Sequence, residues 1–155
     1  MNKSWIANGF TVANALFGGL SIMMSISGEY HVAAICILIA MAADAFDGRV
    51  ARALGTAGPM GVELDSLSDD ISFGVAAGAL IYSYQLRELG AFGFIPCALL
   101  GAFCAFRLAR FNVKVTSVHG YFEGLPCPTV GVIIACYVLS GVKIWNWLAM
   151  VCVLA

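Results

Sequence analysis

The chain has 155 residues, 61% hydrophobic and 11% charged, with a mean hydropathy of +0.92 and a formal net charge of -1. Apolar content this high exceeds what a water-soluble domain needs, so the first expectation is a membrane protein. The near-zero net charge says little by itself, and no nucleic-acid partner is expected.

In chain order, runs free of Asp, Glu, Lys and Arg cover residues 4–28, 30–43, 71–86, 89–106, 124–142 and 144–155. A bilayer core needs roughly 20 mostly apolar residues per helix. The first and fifth runs nearly fill that length alone, whereas the second and third do so only with the charged residues beside them. Helices are predicted at about 5–27, 31–54, 63–85, 90–111, 126–142 and from 145 onward. The expected fold is therefore all-α: one polytopic transmembrane bundle of about six helices, a single domain over 1–155.

The first helix follows Lys3, yet Asn8, Thr11 and Asn14 lie within it and further spans follow. It is read as a retained helix rather than a signal peptide. These three polar residues recur at helical spacing and are expected to pack polar contacts against neighbouring helices, with Asn14 reaching a functional pocket as the alternative. Ser27-Gly28-Glu29, the stretch 55–59 and Gly90 mark breaks between helices. The connection from Asn112 to Pro126 is too polar to cross a bilayer. The final run has too few residues to span, so the last helix is expected to be incomplete.

Lys3, Arg49, Arg52, Arg107, Arg110 and Lys114 fall on one side of this layout, and Arg87 and Lys143 on the other. The positive-inside rule makes the first side cytoplasmic and places the N-terminus there. Cys36, Cys97, Cys104, Cys127, Cys136 and Cys152 form no CxxC pair and are expected to be small, reduced packing residues. Gly18, Gly19, Gly74 and Gly78, with Ala42, Ala43 and Ala45, supply the small faces on which helix packing in lipid depends. His31 and His119 are read as interfacial, and Trp5, Trp145 and Trp147 as an aromatic belt.

The chemistry concentrates in the second and third helices. Asp44, Asp47, Gly48 and Ala51 share one face, with Arg52 one turn further, and Gly61, Asp65 and Asp69 form a second stripe at steps of four. A short connection makes the two helices antiparallel neighbours, so four carboxylates converge near one end. Ionised Asp at membrane depth is costly and four together repel, which calls for divalent cations. An all-oxygen donor set suits Mg²⁺, Mn²⁺ or Ca²⁺ rather than Zn²⁺. Gly48, Ala51 and Gly61 leave a wall without bulky side chains, where a flat nucleotide and its pyrophosphate could approach the backbone. Interhelical salt bridges to Arg49 and Arg52, or a cation transporter or channel, are the competing readings.

The array Asp44-x2-Asp47-Gly48-x2-Ala51-Arg52-x8-Gly61-x3-Asp65-x3-Asp69 is complete, and resembles the signature of the CDP-alcohol phosphotransferases. The stretches 47–52, 64–75, 107–112 and 121–126 look like bacterial and archaeal phosphatidylserine synthases within that family. Asp70 departs, standing where the pattern has an apolar residue.

The resemblance implies an enzyme with two divalent cations, Mg²⁺ or Mn²⁺, held by Asp44, Asp47, Asp65 and Asp69, with Asp69 also the general base. Gly48, Ala51, Arg52 and Gly61 would border the CDP moiety. The substrates implied are CDP-diacylglycerol or CDP-archaeol and L-serine, with glycerol 3-phosphate or inositol phosphate as alternative acceptors. Arg107, Arg110 and Asn112 are candidates for the serine carboxylate or lipid phosphate, the alternative being arginines that snorkel to headgroups. Glu123 is a candidate for the serine ammonium, on a loop, 121–126, read as a substrate lid. A homodimer in the cell membrane, with its site near the cytoplasmic side, completes the expectation.

Overall fold

The computed structural model describes residues 4–54, 58–115, 126–146, 149 and 153. Regular structure among them is entirely helical: α1 (Ser4–Ile26), α2 (Tyr30–Leu54), α3 (Pro59–Asp69), a π-helical turn (Asp70–Val75), α4 (Ala76–Tyr84), a 3-10 turn (Leu86–Leu89), α5 (Ala91–Val115) and α6 (Cys127–Leu139). Three stretches are long and apolar enough to cross a bilayer, Asn8–Ile26, Tyr30–Val50 and Ala91–Val113. The all-α expectation holds.

The distribution of polarity is that of a protein dissolved in lipid. Helix α1 buries Thr11, Asn14, Ser21 and Ser25 and exposes Val12, Leu16, Leu20 and Met23. With buried Gly18, the inward row steps by three and four residues, the spacing of a close helix–helix seam. Small and polar residues let backbones approach there, while the outward face needs no burial where the solvent is itself apolar. Helix α2 runs back along α1 after the turn at Gly28, whose φ of +85° suits glycine. Ala33, Ala34, Ile37 and Ala40 of α2 then meet Phe73, Ala77 and Leu80, and Ile134, Ala135 and Val138 of α6, in one core.

The third predicted helix, 63–85, differs from the observed one. It starts at Pro59, where proline fits the first turn because its missing N–H is needed by no carbonyl. It also passes through a π turn at Asp70–Val75 before resuming as α4. The turn sits where three consecutive buried residues, Ser72, Phe73 and Gly74, meet three different helices. A Cβ on Gly18 of α1 would collide with Ser72, and one on Gly131 of α6 would lie 2.8 Å from Phe73. One on Gly74 would lie 3.0 Å from Cys104 Cβ of α5. Helix α5 continues to Val115, beyond the expected 111, and α6 ends at Leu139, before the turn at Gly141.

Gly78 packs α4 onto α5: an added Cβ would stand 2.5 Å from the Cys97 carbonyl oxygen, whereas one on Gly19 would meet nothing within 4 Å. Gly78→Leu is expected to cost about 1–3 kcal/mol by forcing these backbones apart. Thermal unfolding in detergent checks this: a lower Tm for Gly78→Leu, and no loss for Gly19→Ala.

Candidate active site

Asp44 and Asp47 lie one turn apart in the second half of α2, and Asp65 and Asp69 one turn apart in the second half of α3. Carboxylate oxygens from Asp44, Asp65 and Asp69 all lie within 4.8 Å of one another. Asp44 and Asp65 are half-buried and Asp69 is buried. Oxygens that share one Mg²⁺ at about 2.1 Å can be no more than about 4.2 Å apart, so this spacing is within a small side-chain adjustment of a shared ion. The donor set is all oxygen, as hard cations prefer.

Asp47 is buried beside them but stands outside that set, its Oδ2 accepting a hydrogen bond from Thr11 Oγ1 of α1. Asn14, fully buried, donates from Nδ2 to Asp69 Oδ1 at 3.1 Å. Its carbonyl in turn accepts the Ser72 hydroxyl at 2.9 Å, which ties α1 to the π turn. The remaining amide oxygen of Asn14, Oδ1, is buried without a hydrogen-bond partner. A lone acceptor next to three carboxylates fits a cation or a ligand donor better than empty packing.

The site therefore has three walls where the sequence suggested two. Among the described residues α3 packs on α1, the π turn and α5, while α2 meets the same helical run from the π turn onward. Helix α1 contributes the groups that hold Asp47 and Asp69. Thr11 and Asn14 were visible in the sequence as polar residues at helical spacing, although spacing alone names no partner. Ser72 gave no signal.

Gly61 and Gly48 are half-buried. Among the described residues the nearest atom to a Cβ on Gly61 would be Asn8 Oδ1 at 3.8 Å, so their packing does not require glycine there. Gly61 thus differs from Gly74 and Gly78, whose neighbours leave no room. Its backbone is open to a ligand.

Arg107 and Asn112 face this end of the bundle. Arg107 Nη1 donates to Cys127 Sγ at 3.4 Å at the start of α6, and Asn112 Nδ2 donates to Ser66 Oγ of α3 at 3.0 Å. Arg110 is exposed. The side chains of Ala51 and Arg52 lie outside the described residues, as do Lys3, His119, Glu123, Trp147, Cys152 and the loop 121–125. Asp70 is not part of the three-carboxylate set; its Oδ1 lies 2.8 Å from the space a Gly74 Cβ would take and has no hydrogen-bond partner. His31 and Trp5 are exposed near opposite helix ends, Trp145 is exposed after α6, and Cys36, Cys97, Cys104 and Cys127 are buried and unbridged.

Comparison with known proteins follows the same lines. A Helicobacter pylori protein named CDP-diacylglycerol–serine O-phosphatidyltransferase is 37% identical over 133 residues, covering 85% of this chain and 56% of the relative. An archaetidylserine synthase of Methanothermobacter thermautotrophicus is 40% identical over 84% of this chain and 56% of its own length. A Bacillus subtilis CDP-diacylglycerol–serine O-phosphatidyltransferase is 38% identical over 78% of this chain and 68% of its own. The chain thus spans little more than half the length of the first two. Residues 4–155 match the CDP-alcohol phosphatidyltransferase family, and with its acids, glycines and helices disposed as described, the chain belongs to that family.

Proposed function

We propose that this chain carries the site of a phosphatidylserine or archaetidylserine synthase, which transfers the phosphatidyl or archaetidyl group of a CDP-activated lipid to L-serine and releases CMP. The observation that carries the reading is the convergence of Asp44, Asp65 and Asp69 on one space. The serine-using relatives support the acceptor. Acids gathered at one end of the helices, rather than spread along them, favour an enzyme over an ion path.

Asp44, Asp47 and Asp65, with Asp69, would hold two divalent cations, Mg²⁺ or Mn²⁺. Such ions, when bound, neutralise a pyrophosphate and stabilise the departing CMP. The chain's own groups do the rest. Gly48, Ala51, Arg52 and Gly61 border the CDP moiety, where the open backbone at Gly61 admits it closely. Asp69 takes the proton from the serine hydroxyl as its oxygen attacks the β-phosphorus. A new P–O bond forms, and the bond to the CMP oxygen breaks with its electron pair leaving on CMP.

The Asn14 amide engages one Asp69 oxygen, leaving the other available for that proton. Thr11 fixes Asp47 in the same manner. Arg107 and Asn112, bonded to Cys127 and to Ser66 of α3, would meet the serine carboxylate or the lipid phosphate, with Arg110 and Glu123 as further contacts and the loop 121–126 as a lid. The whole assembly is read as a homodimer of about six spans per chain in the cell membrane, with the N-terminus and the acids on the cytoplasmic side.

CMP release from CDP-diacylglycerol and labelled serine, glycerol 3-phosphate or inositol phosphate tests the assignment directly. Serine should give CMP and labelled lipid, EDTA should abolish both, and Mg²⁺ or Mn²⁺ should restore them. Product with glycerol 3-phosphate but not serine would overturn the acceptor. Asp69→Asn should lower kcat by about 10²–10⁴-fold, the range for losing a positioned base, while nucleotide binding persists. Asn14→Ala should lower kcat about 10–100-fold with little change in KM for serine, as loss of an orienting partner does. Steady-state kinetics separates these two parameters.

A further inference from the structure

The end of the bundle remote from the acids holds a second polar site. Tyr30, at the start of α2, precedes Asp44 by 14 residues, roughly 21 Å along the helix axis, so the two ends lie at different depths. At the remote end a cavity of about 360 Å³ is lined by Tyr30, Ser83, Gln85, Arg87, Glu88 and Lys143, among others. A second, of about 270 Å³, shares Ser83 and Arg87 with it and extends over Ser25 and Ile26 of α1. Arg87 stands where they join.

This site is built rather than incidental. Gln85, 5% exposed, donates from Nε2 to the Ile144 carbonyl and to Asn146 Oδ1, and accepts the Tyr137 hydroxyl at Oε1. The Ile144 N–H returns to Tyr137 Oη at 3.1 Å. Both backbone groups of the residue after Lys143 are thereby fixed, and Lys143 Nζ is held 5.3 Å from the Tyr84 ring centroid. Among the described residues neither Arg87 nor Lys143 has an ion-pair partner; Glu88, in the same cavity, leaves one net positive charge.

We propose that this pair of cavities binds the phosphate of an anionic phospholipid from the membrane leaflet opposite the acidic site. Arg87 and Lys143 would take the phosphodiester oxygens, with Ser83 and Tyr30 as hydroxyl donors. The second cavity leads over Ile26, 72% exposed, which offers an acyl chain an apolar contact beside the phosphate site. A free phosphate ion would use the same cations but gain nothing from Ile26. A lipid satisfies both parts, its phosphodiester through charge-assisted hydrogen bonds and its chain through the apolar side chain.

Native mass spectrometry of the chain, delipidated and titrated with phosphatidylglycerol, phosphatidylcholine or soluble glycerol phosphate, tests this without reference to CMP release. The wild type should retain phosphatidylglycerol about tenfold more tightly than Arg87→Gln/Lys143→Gln. Arg87→Lys should keep most of that binding, and Arg49→Gln, an exposed charge on α2 in its acid-bearing half, should not alter it. Glycerol phosphate should bind more weakly than the lipid. Equal retention by the double variant would overturn the site. Glycerol phosphate binding as tightly as the lipid would overturn the lipid as occupant.

Discussion

Three carboxylates from two separate helical segments, gathered within 4.8 Å inside a chain whose solvent is largely lipid, are the constraint around which the rest is arranged. Charges of one sign at that separation repel, and low-dielectric surroundings strengthen the repulsion. The helices bearing them must be held in place by contacts elsewhere. Helix α1 does this, with hydroxyl and amide groups turned inward to Asp47 and Asp69 and a row of small residues closing the seam behind them. Its apolar half faces outward, an arrangement that suits a lipid environment.

Much of this was legible in the sequence because the signals are periodic. Steps of three and four between Asp44, Asp47 and Gly48, and of four between Gly61, Asp65 and Asp69, fix which residues share a face before any contact is known. Charge-free runs locate apolar helices in the same way, since length in a bilayer is a nearly absolute requirement. What stayed hidden depends on helices far apart in the chain. Asn14 and Thr11 advertised polarity without naming the acids they would hold. The glycines looked alike on paper, yet Gly78 is forced by the Cys97 backbone and Gly74 is crowded by Asp70, Cys104 and Gly101, whereas Gly61 meets little among the described residues, a distinction only packing reveals.

The two ends of the bundle carry different polar groups. Acids occupy one end, with Arg107 and Asn112 nearby, and Arg87 and Lys143 occupy the other with tyrosines around them. Between the ends lie Ala33, Ala34, Ile37, Ala40, Phe73, Ala77 and Leu80, part of a core in which alanines interleave with larger side chains. Such a core tolerates little volume change. It transmits position along the helices rather than absorbing it, which suits a site whose oxygens must be placed to within tenths of an ångström.

The π turn between Asp69 and Ala76 separates two tasks that one helix would otherwise have to perform in phase. A single extra residue offsets everything downstream by about 100° around the axis. The acid-bearing half is thus aimed at α1 and α2, and the half bearing Gly78 at α5, with neither orientation dictating the other. Deleting one residue there would leave each sequence stripe intact and still pull them out of alignment, so that segment's length, more than its composition, governs whether substrate chemistry and bundle assembly coexist.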